Sequence, residues 1–330
     1  MRLKLKNVFV VYFVLSVLGL WYTVWELGRP CDCTAQLKSA GELTRQWEQR
    51  VKRLQEQLKV EREAVNDGKT LPMIYAITPT YARWVQKAEL VRLSQTFRHL
   101  KQFHWIVVED ADAPSTLVAE LLAQSGLRYT HLSAPTPDLY KLRGQDPSWL
   151  KPRGVEQRNR GIQWLRENRE LSEEAVVYFA DDDNTYSLRV FDEMRWTKRV
   201  SVWPVGLVGG LRFERPLVEG GKVVGFHTAW KPSRPFPMDM AGFAVSLQLL
   251  LANREAKFDA RAERGYLESS LLQSLVSIEE LEPMADDCST VLVWHTRTEK
   301  PKMKQEEAPA EGGQGIGRPD RGVRGADPGL

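Results

Sequence analysis

Cysteine is scarce in this sequence, with three among 330 residues, and the Asn-x-Ser/Thr tripeptide is absent. Its absence excludes N-linked glycosylation. Net charge is only +3 and no basic arm interleaved with aromatics occurs, so nucleic acid is set aside as a partner. Beyond Glu307 apolar residues almost vanish, and the Gly-, Pro- and charge-rich stretch 307–330 is expected to be a disordered tail. Near the N-terminus, Glu26-Leu27-Gly28-Arg29-Pro30 offers no small-x-small cleavage site.

What the N-terminus does contain is one long apolar run. Residues 1–7 carry Arg2, Lys4 and Lys6, and residues 8–25 carry no charge at all. That length sits near the lower limit for a membrane-crossing helix. Trp21, Tyr22 and Trp25 crowd its far end as an interfacial belt would. With the basic flank in the cytosol, the pattern reads as a single-pass type II anchor with the bulk of the chain luminal; a cleaved signal peptide is the competing reading.

Residues 26–70 read as a stem. Leu43, Trp47, Val51, Leu54 and Leu58 form a narrow apolar stripe, suited to a short coiled coil or to a single solvated helix. The cysteines fit an oxidising compartment. Cys31 and Cys33 lie too close for an easy mutual bridge, and either could cross-link two chains. Cys288 is distant, and it is either paired or free and buried.

From Leu71 onward strands alternate with helices: 73–81, 103–108 and 128–132 read as strands, 88–97, 117–122 and 153–168 as helices. This argues for βαβ units and a mostly parallel sheet. The centre is Ala175-Val176-Val177-Tyr178-Phe179-Ala180, an apolar run ending in Asp181, Asp182 and Asp183. A run with no polar face is a strand buried on both sides, and ligands bind beyond the carboxyl ends of such strands. No lysine or arginine follows closely to neutralise the three carboxylates. A hard divalent cation shared with substrate phosphates would relieve their repulsion; a solvated acidic turn is the plainer alternative. A second strand ends in Glu109-Asp110, and Thr80 and Tyr81 close a third, which suggests one shared crevice. Later, Glu214 is expected just after a strand, Trp230 precedes a proline cluster, Asp239 precedes Met240, and Glu268 opens a helix. Val291-Leu292-Val293-Trp294 is a last strand, leading to His295 and Arg297, which could face a diphosphate.

Taken together, Thr78-Pro79-Thr80-Tyr81, Arg153-Gly154-Val155-Glu156-Gln157-Arg158-Asn159, Tyr178 to Tyr186, Trp203-Pro204-Val205-Gly206, Asp239-Met240-Ala241-Gly242-Phe243, Leu267-Glu268-Ser269-Ser270 and Trp294-His295-Thr296-Arg297 resemble the β1,3-glucuronosyltransferase family, glycosyltransferase family 43. The resemblance spans about Leu71 to Glu306 and implies a GT-A fold: an α/β nucleotide-binding half (71–187) and an acceptor-binding half (188–306). It implies UDP-glucuronate as donor, Mn²⁺ as cofactor, a homodimer and a Golgi membrane location. The implied acceptor is galactosyl-galactosyl-xylosyl-protein, in the glycosaminoglycan linkage region. N-acetyllactosamine acceptors of the HNK-1 type, or a silent glycan-binding protein, are the alternatives.

Residue by residue, the resemblance implies that Pro79 and Tyr81 receive the uracil with Asp110. Arg153 contacts the nucleoside, and Arg158 holds the donor sugar. Asp181 and Asp182 hold ribose and sugar, Asp183 ligates Mn²⁺, and His295 and Arg297 meet the diphosphate. Glu214, Arg234 and Asp239 orient the terminal galactose, Trp230 packs on the next sugar, and Gln305 reaches in from the partner subunit. Glu268 is the implied general base. Inversion requires a single carboxylate on the face opposite the leaving group, and a half-screened glutamate with a raised pKa suits that task.

Overall fold

A computed structural model describes residues 5–27, 40–53, 71–142, 146–147, 150–299 and 301–302. Cys31, Cys33, Leu54, Leu58, Gln305 and the stretch 307–330 lie outside the described residues. The chain divides at Gly68 into two compact units.

The first unit contains helix α1 (Leu5–Leu27) and a helix α2 over residues 40–53. Within α1, Phe9–Glu26 is long and apolar enough to cross a membrane, with a mean hydropathy of 1.6. Its apolar side chains are exposed all round, as a lipid-facing helix requires. On α2, Leu43, Trp47 and Val51 recur every fourth residue and are exposed.

The second unit is built on a seven-stranded sheet. Its strands are β1 (Met73–Thr80), β2 (Phe103–Glu109), β3 (Tyr129–Ser133), β4 (Ala175–Phe179), β6 (Val200–Val202), β10 (Phe243–Ser246) and β11 (Leu281–Pro283), ordered β11-β6-β10-β4-β1-β2-β3. The pairs β4–β1, β1–β2 and β2–β3 are parallel. A period of two sends alternate side chains to opposite faces, so both faces of these apolar strands must be covered. Ile77, Val108, Val177 and Phe179 meet helix α5 (Val155–Asn168) through Val155, Ile162 and Leu165. Ile74, Trp105, Val107 and Val176 meet α3 (Gln86–Phe97) and α4 (Thr116–Ser125) through Leu90, Phe97, Val118 and Leu122. A Cβ on Gly161 would stand 2.7 Å from Ile77, so glycine there lets α5 approach β1.

Two features depart from the sequence reading. Strand β10 is antiparallel to both neighbours, β4 and β6. A second sheet of five short strands is also present: β5 (Thr185–Tyr186), β7 (Val205–Gly206), β8 (Phe213–Glu219), β9 (Lys222–His227) and β12 (Val293–Trp294). Glu214, expected after a strand, lies inside β8 and pairs with Val205. Its strand was missed because Pro216 interrupts the apolar pattern; β8 carries this proline beside a register shift at Leu217/Val218.

Further helices in the unit include α6 (Leu188–Met194), α7 (Leu247–Ala252) and α8 (Leu267–Leu272). One cluster of buried side chains joins Tyr75 and Phe179 to Phe243, Phe258 and Leu271, so the segments 71–187 and 188–306 share a core. Cys288 is buried without a disulfide, and burial pushes its thiol up to about 12. This is the GT-A α/β arrangement, and its parallel strands β1, β2 and β4 release Tyr81, Asp110 and Asp181 at one edge of the sheet.

Candidate active site

Arginines from distant elements meet the acidic turn after β4. Arg158 of α5 places Nη2 2.5 Å from Oδ1 of Asp181. Arg83, in the loop after β1, donates to Oδ1 of Asp182 at 2.6 Å and also pairs with Glu89 of α3. Thr80 Oγ1 donates to the other Asp182 oxygen at 2.7 Å. The local absence of cations was therefore misleading: two of the three carboxylates are neutralised by residues roughly a full element or more away in sequence.

Asp182 is buried, and burial raises its pKa while Arg83 and Thr80 hold it down. Asp183 is lifted to about 6, first by burial and then by Asp181, Asp182 and Glu89. Its main-chain carbonyl accepts from Thr296 Oγ1 at 2.6 Å and from Arg92 Nη2 at 3.1 Å, which fixes the turn.

Among the described residues no three metal-ligating side chains converge. The donor set nevertheless fits a hard divalent cation of the kind held by one carboxylate and by substrate phosphates, because excess negative charge is concentrated on Asp183.

Around this turn the expected nucleotide residues gather. Tyr81 is 44% exposed, and the Arg83 guanidinium lies 4.5 Å from its ring centre. Pro79 packs under Gly154, where a Cβ would stand 3.1 Å away. Gly154 takes φ +71° at the start of α5, and a Cβ there would collide with Arg158 Nη1. Nη1 instead donates to the carbonyl of the exposed Arg153 at 3.0 Å. Asp110 is held in place: its two oxygens accept from the N–H and Oγ1 of Thr136 at 2.7 and 2.8 Å, and so tie down the loop after β3.

A cleft of about 790 Å³ gathers residues expected to meet the acceptor together with two expected to meet the diphosphate. Glu214, Trp230, Arg234, Asp239, Glu268, His295 and Arg297 all face it. Glu268 sits in the first turn of α8, and its carboxyl is raised to about 7. Burial is the main cause and the charge of Asp239 the next; Arg234 and Arg158 oppose them. Asp239 caps the short helical turn Met240–Gly242, accepting from Ala241 N–H at 3.0 Å. Its Oδ2 lies 3.3 Å from His295 Nδ1. Burial would raise Asp239, but His295 and the Ala241 N–H hold it below the usual range. The same contact raises His295 against the effect of burial.

Glu214 is raised by burial, and its Oε1 accepts from Thr228 Oγ1 at 2.5 Å. Arg234 gives its donors to the carbonyls of Trp230, Lys231 and Gly265, so it shapes the cleft wall as well as facing it. Trp230 lies against Gly265 and has the guanidinium groups of Arg234 and Arg264 at 5.0 and 5.3 Å from its ring. Arg158 links the two sides: it pairs with Asp181, and its charge lowers the pKa of both Asp239 and Glu268.

Arg83, Glu89, Thr228 and Thr296 were not foreseen. Each acts on a partner set by the fold, as Arg83 does on Asp182, 99 residues later. No local spacing carries that signal.

Comparison with known proteins gives one consistent answer. The family model Glycosyltransferase family 43 matches residues 93–299. The chain is 57% identical over 328 residues to galactosylgalactosylxylosylprotein 3-beta-glucuronosyltransferase 3 of Homo sapiens, covering 96% of this chain and 98% of the relative. It is 58% identical over 239 residues to galactosylgalactosylxylosylprotein 3-beta-glucuronosyltransferase 2 of Homo sapiens, covering 72% of each. The Drosophila melanogaster galactosylgalactosylxylosylprotein 3-beta-glucuronosyltransferase I is 53% identical over 253 residues, 75% of this chain and 83% of that one. With relatives this similar matched along nearly its whole length, the chain belongs to glycosyltransferase family 43.

Proposed function

We propose that this enzyme transfers glucuronate from UDP-glucuronate, with inversion, to O3 of the terminal galactose of a galactosyl-galactosyl-xylosyl-protein. The observation that carries the reading is Glu268: a carboxylate lifted to about 7 in a cleft shared with Glu214, Asp239 and Trp230. A base titrating near working pH takes a proton best, and Glu268 shares its cleft with Glu214, Trp230 and Asp239, read here as acceptor contacts, as well as with His295 and Arg297.

In this reading the acceptor hydroxyl gives its proton to Glu268 as its oxygen bonds to C1 of glucuronate. The C1–O bond to the β-phosphate breaks, and its electron pair leaves with UDP. Glu214 and Asp239 accept hydrogen bonds from the galactose, Arg234 orients it, and Trp230 offers the next sugar an apolar face. His295, whose pKa Asp239 raises, and Arg297 meet the leaving group and stabilise its charge. Pro79, Tyr81 and Arg153 take up the nucleoside with Asp110 beside them, and Arg158, Asp181 and Asp182 hold the sugar and ribose. Mn²⁺ at Asp183 supplies further positive charge to the diphosphate when bound.

The apolar helix α1 is read as a type II anchor in the Golgi membrane. The chain is read as a homodimer, with Gln305 contributed across subunits and a bridge through Cys31 or Cys33.

The test is UDP release by the detergent-solubilised full chain with Mn²⁺, comparing galactosyl-galactose with N-acetyllactosamine. Turnover on the first supports the assignment. Turnover on the second alone assigns the HNK-1 type acceptor instead, and glycan binding with no transfer to either would mark a silent binding protein.

A further inference from the structure

We propose that Arg83 is a positioning residue for the nucleoside diphosphate: one guanidinium locks the aromatic platform after β1 to the acidic turn after β4. The inference rests on the donor-site reading above and goes further, because nothing in the recognised motifs assigns Arg83.

The geometry is specific. Nη1 of Arg83 donates to the Tyr81 carbonyl at 3.1 Å. Its guanidinium lies 4.5 Å from the centre of the Tyr81 ring. Nη2 reaches Oδ1 of Asp182 at 2.6 Å and also pairs with Glu89 on α3. One planar group therefore touches the main chain and ring of Tyr81 and the carboxylates of two further elements.

The rest of the joint points the same way. Thr80 Oγ1 holds the second oxygen of Asp182, and Gln86 Nε2 donates to Thr80 Oγ1 at 3.2 Å. Asp182 thus has both oxygens engaged by the end of β1 and the loop after it. Tyr81, in contrast, is 44% exposed, so packing alone does not set its ring. The cation above it supplies that orientation.

A ligand stacking on Tyr81 while reaching the acidic turn needs the distance between them fixed in advance. Pre-organisation of this kind saves the ordering cost that binding would otherwise incur. The effect belongs to the donor, since Arg83 has no recorded contact with Glu214, Trp230, Asp239 or Glu268.

A lysine cannot replace this arginine. It keeps the charge beside Asp182 but lacks the planar face and the fork that reaches several acceptors at once.

The experiment uses the full chain in detergent, with UDP as probe, and two variants: Arg83→Met and Arg83→Lys. Arg83→Met is expected to weaken UDP binding by about tenfold or more. The KM for UDP-glucuronate should rise in parallel, with kcat and the acceptor KM within about twofold. Arg83→Lys should recover only part of the loss, and it carries the test if the methionine variant does not fold.

Two results overturn the inference: UDP affinity unchanged in both Arg83 variants, or equal loss of donor and acceptor affinity, which is the mark of a general structural role. Wild-type chain that does not bind UDP at all would remove the donor-site reading itself. UDP binding by wild type and variants alike would remove only the role of Arg83.

Discussion

Oδ2 of Asp239 stands 3.3 Å from Nδ1 of His295, and the charge of this same Asp239 is, after burial, the chief reason that Glu268 titrates near 7. One carboxylate therefore acts on two groups of opposite duty. It raises the pKa of His295, proposed to face a departing anion, and it raises that of Glu268, proposed to receive a proton. A shared anionic neighbour shifts both groups in the same direction, since it favours the protonated form of each.

A pH prediction follows from this pairing. With Glu268 at about 7, the ionised fraction falls about tenfold per pH unit below that value, and turnover should fall with it. Replacing Asp239 by Asn removes a negative charge that raises Glu268, so the acid limb of the kcat profile should move to lower pH. His295 loses its partner in the same variant, its pKa falls, and the alkaline limb should move down as well. The rate itself will drop, since Asp239 faces the acceptor; the positions of the two limbs are what test the argument. Limbs that stay in place would show that Asp239 does not tune either group.

Glu268→Gln should separate chemistry from binding. The amide fits the same space but takes no proton, so kcat should fall by about 10² to 10⁴. Equilibrium binding of UDP should stay within about twofold, because Glu268 faces the acceptor cleft. Isothermal titration with UDP, run beside the turnover assay, reads both. Loss of UDP binding in this variant would move Glu268 to the donor side.

Asp183 yields a prediction with a readout other than activity. Its carboxyl is raised to about 6 by burial and by Asp181 and Asp182, so the folded metal-free chain binds this proton more tightly than the unfolded chain does. Through this group the metal-free protein should gain stability as pH is lowered through about 6, and lose that gain as pH rises back through it. Mn²⁺ replaces the proton, so added Mn²⁺ should raise the melting temperature at pH 7 more than at pH 5. Asp183→Asn should abolish the Mn²⁺-induced rise and leave UDP binding in EDTA unaltered. A rise that survives the substitution would place the cation on other residues.

Legibility in the sequence followed the range of the interactions. Apolar runs with no polar face identified β1, β2 and β4, because burial of a strand depends on its own side chains. The same runs, by ending in Tyr81, Asp110 and Asp181, indicated one crevice. Strand β8 was missed because Pro216 breaks its pattern, and the antiparallel entry of β10 depends on a partner 65 residues away, as in Ala244 opposite Tyr178. The neutralisation of Asp181 by Arg158 and of Asp182 by Arg83 is likewise non-local. Glu268 itself looked ordinary in sequence, where a first-turn acid complements a helix dipole. Only the cleft around it supplies the burial and the neighbouring charge that set its pKa.

Gly265 sets the shape of the acceptor cleft. It has φ +87°, and a Cβ built on it would lie 2.2 Å from a ring carbon of Trp230. No rotation relieves a clash that begins at Cβ, so Gly265→Ala must push the indole away from its seat. The Arg234 guanidinium would follow, since it donates to the Gly265 carbonyl at 3.0 Å and lies over the same ring. Left-handed backbone costs a non-glycine residue about 1–2 kcal/mol, before any contribution from the displaced ring. For a domain of this size that corresponds to a fall in melting temperature of roughly 2–4 °C or more. The acceptor KM should rise by about tenfold or more while UDP affinity is retained, because Trp230 and Gly265 line the acceptor cleft and neither touches the acidic turn. Trp230→Ala in the Gly265→Ala background provides the control. If the alanine acts through the indole, the second substitution should add little to the acceptor KM, and independent losses would show that Gly265 matters for another reason.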